Sequence, residues 1–109
     1  MAQTTTALGP VDRVRSVSSD VAQGFMQLRR GIDEAGPLAP KHRELINIAA
    51  FTVARIEGGF RTHCGRAIEA GATPEEIRQA VLLTFASCGG VGPTADALRW
   101  ADEVIASRK

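Results

Sequence analysis

The chain has 109 residues, 44% hydrophobic and 23% charged, which suits one packed domain and excludes wholesale disorder. Thirteen Lys and Arg against twelve Asp and Glu leave a formal net charge of +1, and aromatics make up 5% with no Tyr. This excludes a nucleic-acid binder that relies on phosphate neutralisation or base stacking. Two cysteines, Cys64 and Cys88, are too few for a disulfide scaffold and form neither a CxxC nor a zinc-ligand cluster.

Residues 1–9 are small and polar and are expected to be a flexible, frayed start of a single domain over 1–109. The opening MAQTTTALGP has neither the basic start nor the apolar core of a signal peptide. Pro10 suits a first helical turn. Val11, Val14, Val17, Val21, Phe25, Leu28 and Ile32 then follow at steps of three and four, which predicts one helix with a single apolar stripe. Gly36-Pro37 ends it.

A second helix is predicted from about Pro40 to Glu57. Nine of the twelve residues from Leu45 to Ile56 are apolar and cover nearly every side. Such a helix is buried all round, either by a second copy or by its own neighbours. The stretch is too short to span a bilayer, so a cytoplasmic protein that meets no membrane is expected. Gly58-Gly59 is read as a break, followed by a helix from about Phe60 to Ala70 that stops at Gly71.

Thr73-Pro74-Glu75-Glu76 reads as N-cap, N1 proline and capping-box Glu. The helix it opens is expected to place Ile77, Val81, Phe85 and Cys88 on one face. Gly89-Gly90-Val91-Gly92 lacks the GxxxxGK[ST] pattern of a phosphate loop and reads as a turn. A last helix from Pro93 or Thr94 to about Ser107 carries Leu98, Ala101, Val104 and Ile105. No segment alternates with period two, so the fold class is all-α.

Few residues carry chemistry. His63 lies on a short helix beside a glycine pair; by spacing alone it is a surface or hydrogen-bonded histidine. His42 is expected to be solvated. His42, His63 and Glu44 have no recognised metal-ligand spacing, and no metal is expected. Cys64 shares a face with Phe60, Ala67 and Ile68 and reads as core. Cys88 reads as core or pocket wall.

The stretches Glu44-Leu45-Ile46-Asn47-Ile48-Ala49-Ala50, Phe60-Arg61-Thr62-His63 and Ala67-Ile68-Glu69-Ala70-Gly71-Ala72-Thr73-Pro74-Glu75-Glu76-Ile77 resemble the carboxymuconolactone decarboxylase family, which includes the alkyl hydroperoxidase D type. The resemblance runs over about residues 38–106. It implies an alkyl hydroperoxidase D-like helical bundle around an antiparallel helix pair, assembled as a homo-oligomer, a trimer or hexamer. Peroxidase-type members carry E…CxxCxxxH. Glu44 and His63 stand at the Glu and His positions, while Ile56 and Gly59 stand at the two Cys positions and can form neither thiolate nor disulfide. Phe60 to His63 and Cys88-Gly89 look more like the decarboxylase branch.

The implied activity is cofactor-free acid–base chemistry, decarboxylation or isomerisation, on a small carboxylic acid or lactone. His63 would transfer the proton and Glu44 would orient or relay. Arg66 shares the face of His63 and would hold a substrate carboxylate or else pair with Glu69 on the surface. Phe60 and Cys88 complete the expected substrate-binding set. Two other readings stand beside this one: a peroxiredoxin-like antioxidant using Cys64 or Cys88, and a non-catalytic helical oligomer.

Overall fold

A computed structural model describes residues 9–108. Residues 1–8, which the expectation for the N-terminus mainly concerned, lie outside the described residues. Six α-helices and one π-helical turn follow in order, with no strand among the described residues. The chain divides into two compact units, 1–37 and 38–109.

The first unit holds α1 (Pro10–Val17) and α2 (Ser19–Glu34) where a single helix was expected. The break falls at Ser18, whose backbone is extended (φ −151°, ψ 113°) and whose Oγ accepts from the Val21 N–H at 3.1 Å. A serine that caps the next helix competes with continuing the present one. The in-phase valines on either side conceal that choice. Only Ala22 is buried among the residues of these two helices. Val17, Val21, Leu28 and Ile32 each keep more than half of their surface.

The second unit comprises α3 (Pro40–Ala54), α4 (Glu57–Glu69), α5 (Pro74–Thr84) and α6 (Val91–Ser107). α3 stops earlier than expected. Arg55 takes the left-handed conformation at φ 60°, its N–H donates to Thr52 O at 3.2 Å, and the Ile56 N–H donates to Phe51 O at 3.0 Å. These bonds satisfy terminal carbonyls of α3. The chain break is therefore at Arg55-Ile56, and Gly58-Gly59 lies inside the first turn of α4. Ile48 and Thr52 of α3 are buried, whereas Ile46 is 55% exposed, so the described residues do not cover every side of this helix.

The capping box at the start of α5 forms as expected. The Glu76 N–H donates to Thr73 Oγ1 at 3.1 Å, and the Thr73 N–H donates to Glu76 Oε1 at 2.9 Å. Lys41 of α3 donates to Glu76 Oε2 at 3.1 Å. The Thr73 N–H first, and then Lys41, hold the Glu76 carboxyl below its ordinary range.

α5 does not run regularly to Cys88. Phe85–Gly89 form a π-turn, whose wider winding rotates its residues away from the α-helical face. Ile77 and Val81 are buried as expected, while Phe85 and Cys88 are exposed. Gly90 follows at φ 76°, a conformation natural to glycine, and α6 starts at Val91 rather than at Pro93. The core comprises Ile48, Phe60, Cys64, Ala67, Ile77, Val81, Ala97, Trp100 and Ala101 with their small neighbours. Phe60 meets Trp100 edge-on at 5.6 Å between ring centroids. Among the described residues no helix is long and apolar enough to cross a membrane.

Candidate active site

α3 and α4 bring together the two residues singled out for chemistry. His63 Nδ1 lies 2.5 Å from Glu44 Oε1, and the two side chains are 18% and 16% exposed. An ionised carboxylate can only accept, so in that state the Nδ1–H donates to Glu44. That bond fixes the neutral tautomer and leaves Nε2 as the ring atom with a free lone pair. Partial burial strengthens such a charge-assisted contact relative to water.

Phe51, which sequence reasoning did not single out, packs on the imidazole with ring centroids 5.2 Å apart and an interplanar angle of 34°. It stands seven residues after Glu44 and three after the buried Ile48, so the three share one face of α3. Period was the available signal; the apolar character of nearly every neighbour hid it.

The other expected site residues are placed differently. Arg66 stands one helical turn beyond His63 on α4. Its Nη1 is buried without a hydrogen-bond partner, and the expected partner Glu69 pairs instead with Arg108 at 2.9 Å. A buried guanidinium nitrogen without an acceptor is costly. Phe60, expected in the substrate-binding set, has no exposed surface in the chain and meets Trp100 edge-on. Cys88 is exposed on the π-turn, with Ser87 Oγ at 3.9 Å from its sulfur. His42 is exposed as expected.

The profile of the carboxymuconolactone decarboxylase family matches residues 19–103. The chain belongs to this family. No curated protein and no solved structure matched it. Membership extends over α2 as well as the second unit, further toward the N-terminus than the motifs at 44–77 alone reach. Within this member of the carboxymuconolactone decarboxylase family, the Glu44–His63 contact is largely shielded from solvent.

A thiol-based chemistry finds little support at Cys64. The side chain is fully buried, and burial pushes its thiol up to about 11. Thiolate is the reactive form, so Cys64 is inert near neutral pH. Under native conditions a thiol reagent should therefore titrate Cys88 alone, and Cys64 only after unfolding. Two thiols reacting at equal rates in folded protein would contradict this placement. The sign of the pH effect also follows. The buried thiol binds its proton more tightly than an unfolded one, so the unfolded state loses protons first as pH rises. Stability should fall between about pH 9 and 11. Cys64→Ala should remove that part of the alkaline loss, read from urea midpoints across this pH range.

Proposed function

We propose that this protein is an enzyme of cofactor-free acid–base chemistry, a lyase or isomerase acting on a small carboxylic acid or lactone, with His63 as the proton-transferring group and Glu44 as its partner. The observation that carries the reading is the 2.5 Å contact between His63 Nδ1 and Glu44 Oε1 in a largely shielded setting. In an isomerisation, neutral Nε2 takes a proton from carbon and returns it to a neighbouring atom. In a decarboxylation, the bond from carbon to the carboxylate breaks, carbon dioxide leaves, and the electron pair stays on carbon. The imidazolium Nε2–H then delivers a proton there. Glu44 stabilises the imidazolium that each route requires.

Arg66 supplies the substrate contact in this reading. A guanidinium is suited to a carboxylate, and Arg66 stands one helical turn from His63 on α4. Ile56 and Gly59, at the two cysteine positions of the peroxidase-type motif, turn the reading away from dithiol chemistry. The test is a screen of small carboxylates and lactones with the parent protein and Arg66→Gln. The variant should raise KM by about tenfold or more, with a smaller change in kcat. Turnover of a carboxylate with unchanged KM would remove Arg66 from binding. A parent inactive on every compound would favour a non-catalytic oligomer.

The assembly proposed with this function is a homo-oligomer, a trimer or hexamer, built around α3 and α4 as an antiparallel pair. The contacts of Glu44 with His63 and of Phe51 with Gly59 support that pairing. Exposed Ile46, Val53, Leu82, Leu83 and Phe85 in the second unit, and Val21, Phe25, Leu28 and Ile32 in the first, are more apolar surface than a soluble monomer usually carries. Light scattering should give several times the 11.6 kDa of one chain; a stable monomer at micromolar concentration would overturn the assembly.

A further inference from the structure

We propose that Phe51 is a positioning residue, and that with Gly59 it forms an aromatic lock holding the His63 imidazole against Glu44. The inference rests on the reading of His63 as the proton-transfer group.

A Cβ built on Gly59 would lie 2.5, 2.7 and 2.8 Å from Cε1, Cζ and Cδ1 of Phe51. These distances are well inside van der Waals contact. The Phe51 ring therefore fills the space that any side chain at position 59 would need. The same ring packs on the imidazole at 5.2 Å, and the imidazole meets Glu44 at 2.5 Å. Glycine at 59, ring at 51, imidazole at 63 and carboxylate at 44 thus form one continuous stack across α3 and α4.

Two consequences follow from the chemistry of the stack. An imidazole held at one nitrogen alone can swing about its side-chain torsions, which cluster in several wells of similar energy. A tilted ring packed beside it restricts that swing and keeps Nδ1 aimed at Glu44. The aromatic face also favours a cation beside it, so it supports the imidazolium formed during proton transfer. The lock further commits the site to one chemistry. A cysteine at 59 would bring its Cβ to 2.5–2.8 Å from three Phe51 ring atoms, so a thiol there requires the ring to leave the position it holds beside the imidazole. Glycine at 59 is then a requirement of this site and more than the loss of a dithiol.

The experiment reads the His63 tautomer by nitrogen NMR on histidine-labelled protein at about pH 8, where a free imidazole is neutral. Exposed His42 is the internal control. In the parent, His63 should show a protonated Nδ1 and an unprotonated Nε2. Phe51→Ala and Phe51→Leu should lose this signature, the two ring nitrogens moving toward the averaged shifts of His42. Gly59→Ala should lose it too, because its methyl displaces the ring. Phe51→Ala/Gly59→Ala should be no worse than Phe51→Ala. Circular dichroism checks each fold, and Phe51→Leu preserves the volume should the alanine variant not fold.

Retention of the parental tautomer in folded Phe51→Leu, or an unaffected Gly59→Ala, overturns the lock while leaving the Glu44–His63 reading intact. A parent without the Nδ1-protonated tautomer overturns both.

Discussion

Replacing His63 with alanine should lower kcat on a substrate found by the carboxylate and lactone screen by about 100- to 10,000-fold, the range that positioned proton transfer supplies. The expected size reflects the lack of a substitute. The imidazole meets a carboxylate from Glu44 and an aromatic ring from Phe51. Phe51 has no proton to give, and Glu44 reaches the opposite ring nitrogen from the one assigned to the substrate. Folding should be spared, because His63 is only partly buried and is absent from the group of fully buried core side chains. Far-UV circular dichroism and light scattering should match the parent. Parental kcat in His63→Ala would remove this residue from the mechanism. A variant that lost activity together with its helical signal would say nothing for catalysis, and His63→Gln, which keeps a polar side chain, is the companion measurement.

Phe60→Ala should have the largest effect on stability, about 3–5 kcal/mol. Phe60 is the largest fully buried side chain among the described residues. It packs edge-on against Trp100, which itself is 93% withdrawn from solvent. Truncation removes both the transferred apolar surface and the aromatic contact, and leaves a cavity beside α6 that a helix end cannot easily fill. Against a total of about 5–15 kcal/mol for a domain of this kind, such a loss leaves a marginal fold. Urea unfolding followed by circular dichroism is the appropriate measure, since Trp100 fluorescence would respond to the substitution directly. A loss under about 1 kcal/mol would contradict the enclosure of Phe60 and favour its expected place in the substrate-binding set.

Much of the fold can be read from local chemistry. Thr73 to Glu76 carries its own start signal, and the cap forms with both bonds in place. The helices bearing Ile77, Val81, Ala101 and Ile105 turn these residues inward as their periods require. The misplaced boundaries share a cause, which is that side-chain pattern says little about backbone choices made at one residue. Ser18 interrupts a stripe of valines that remains in phase across it. Gly58-Gly59 resembles a break, yet first-turn N–H groups have no intrahelical partner in any case, so glycine is tolerated there. The π-turn at Phe85–Gly89 leaves no mark in the hydrophobic period that precedes it.

The site was legible in a different way. Glu44 and His63 stand 19 positions apart, and no spacing rule joins them; their meeting was expected only through the family resemblance. Arg66 could be placed on the face of His63 from helical geometry, but its unpartnered nitrogen could not. Phe51 and Gly59 were invisible as a pair, because a close approach between helices depends on tertiary packing. Phe60 stands three positions before His63 on α4, yet its ring meets Trp100 while the imidazole meets Phe51, a difference set by tertiary packing that spacing alone does not carry.

The central claim is that Glu44 and His63 act as one proton-transferring unit, and a double-mutant cycle in kcat tests it most directly. Glu44→Gln keeps the size of the side chain while removing the charge that stabilises the imidazolium. Residues acting as a unit are strongly non-additive, so Glu44→Gln/His63→Ala should be no slower than His63→Ala alone, within about twofold. Losses that instead multiply, with the double variant slower by the product of the two single effects, would show two independent contributions and contradict the account.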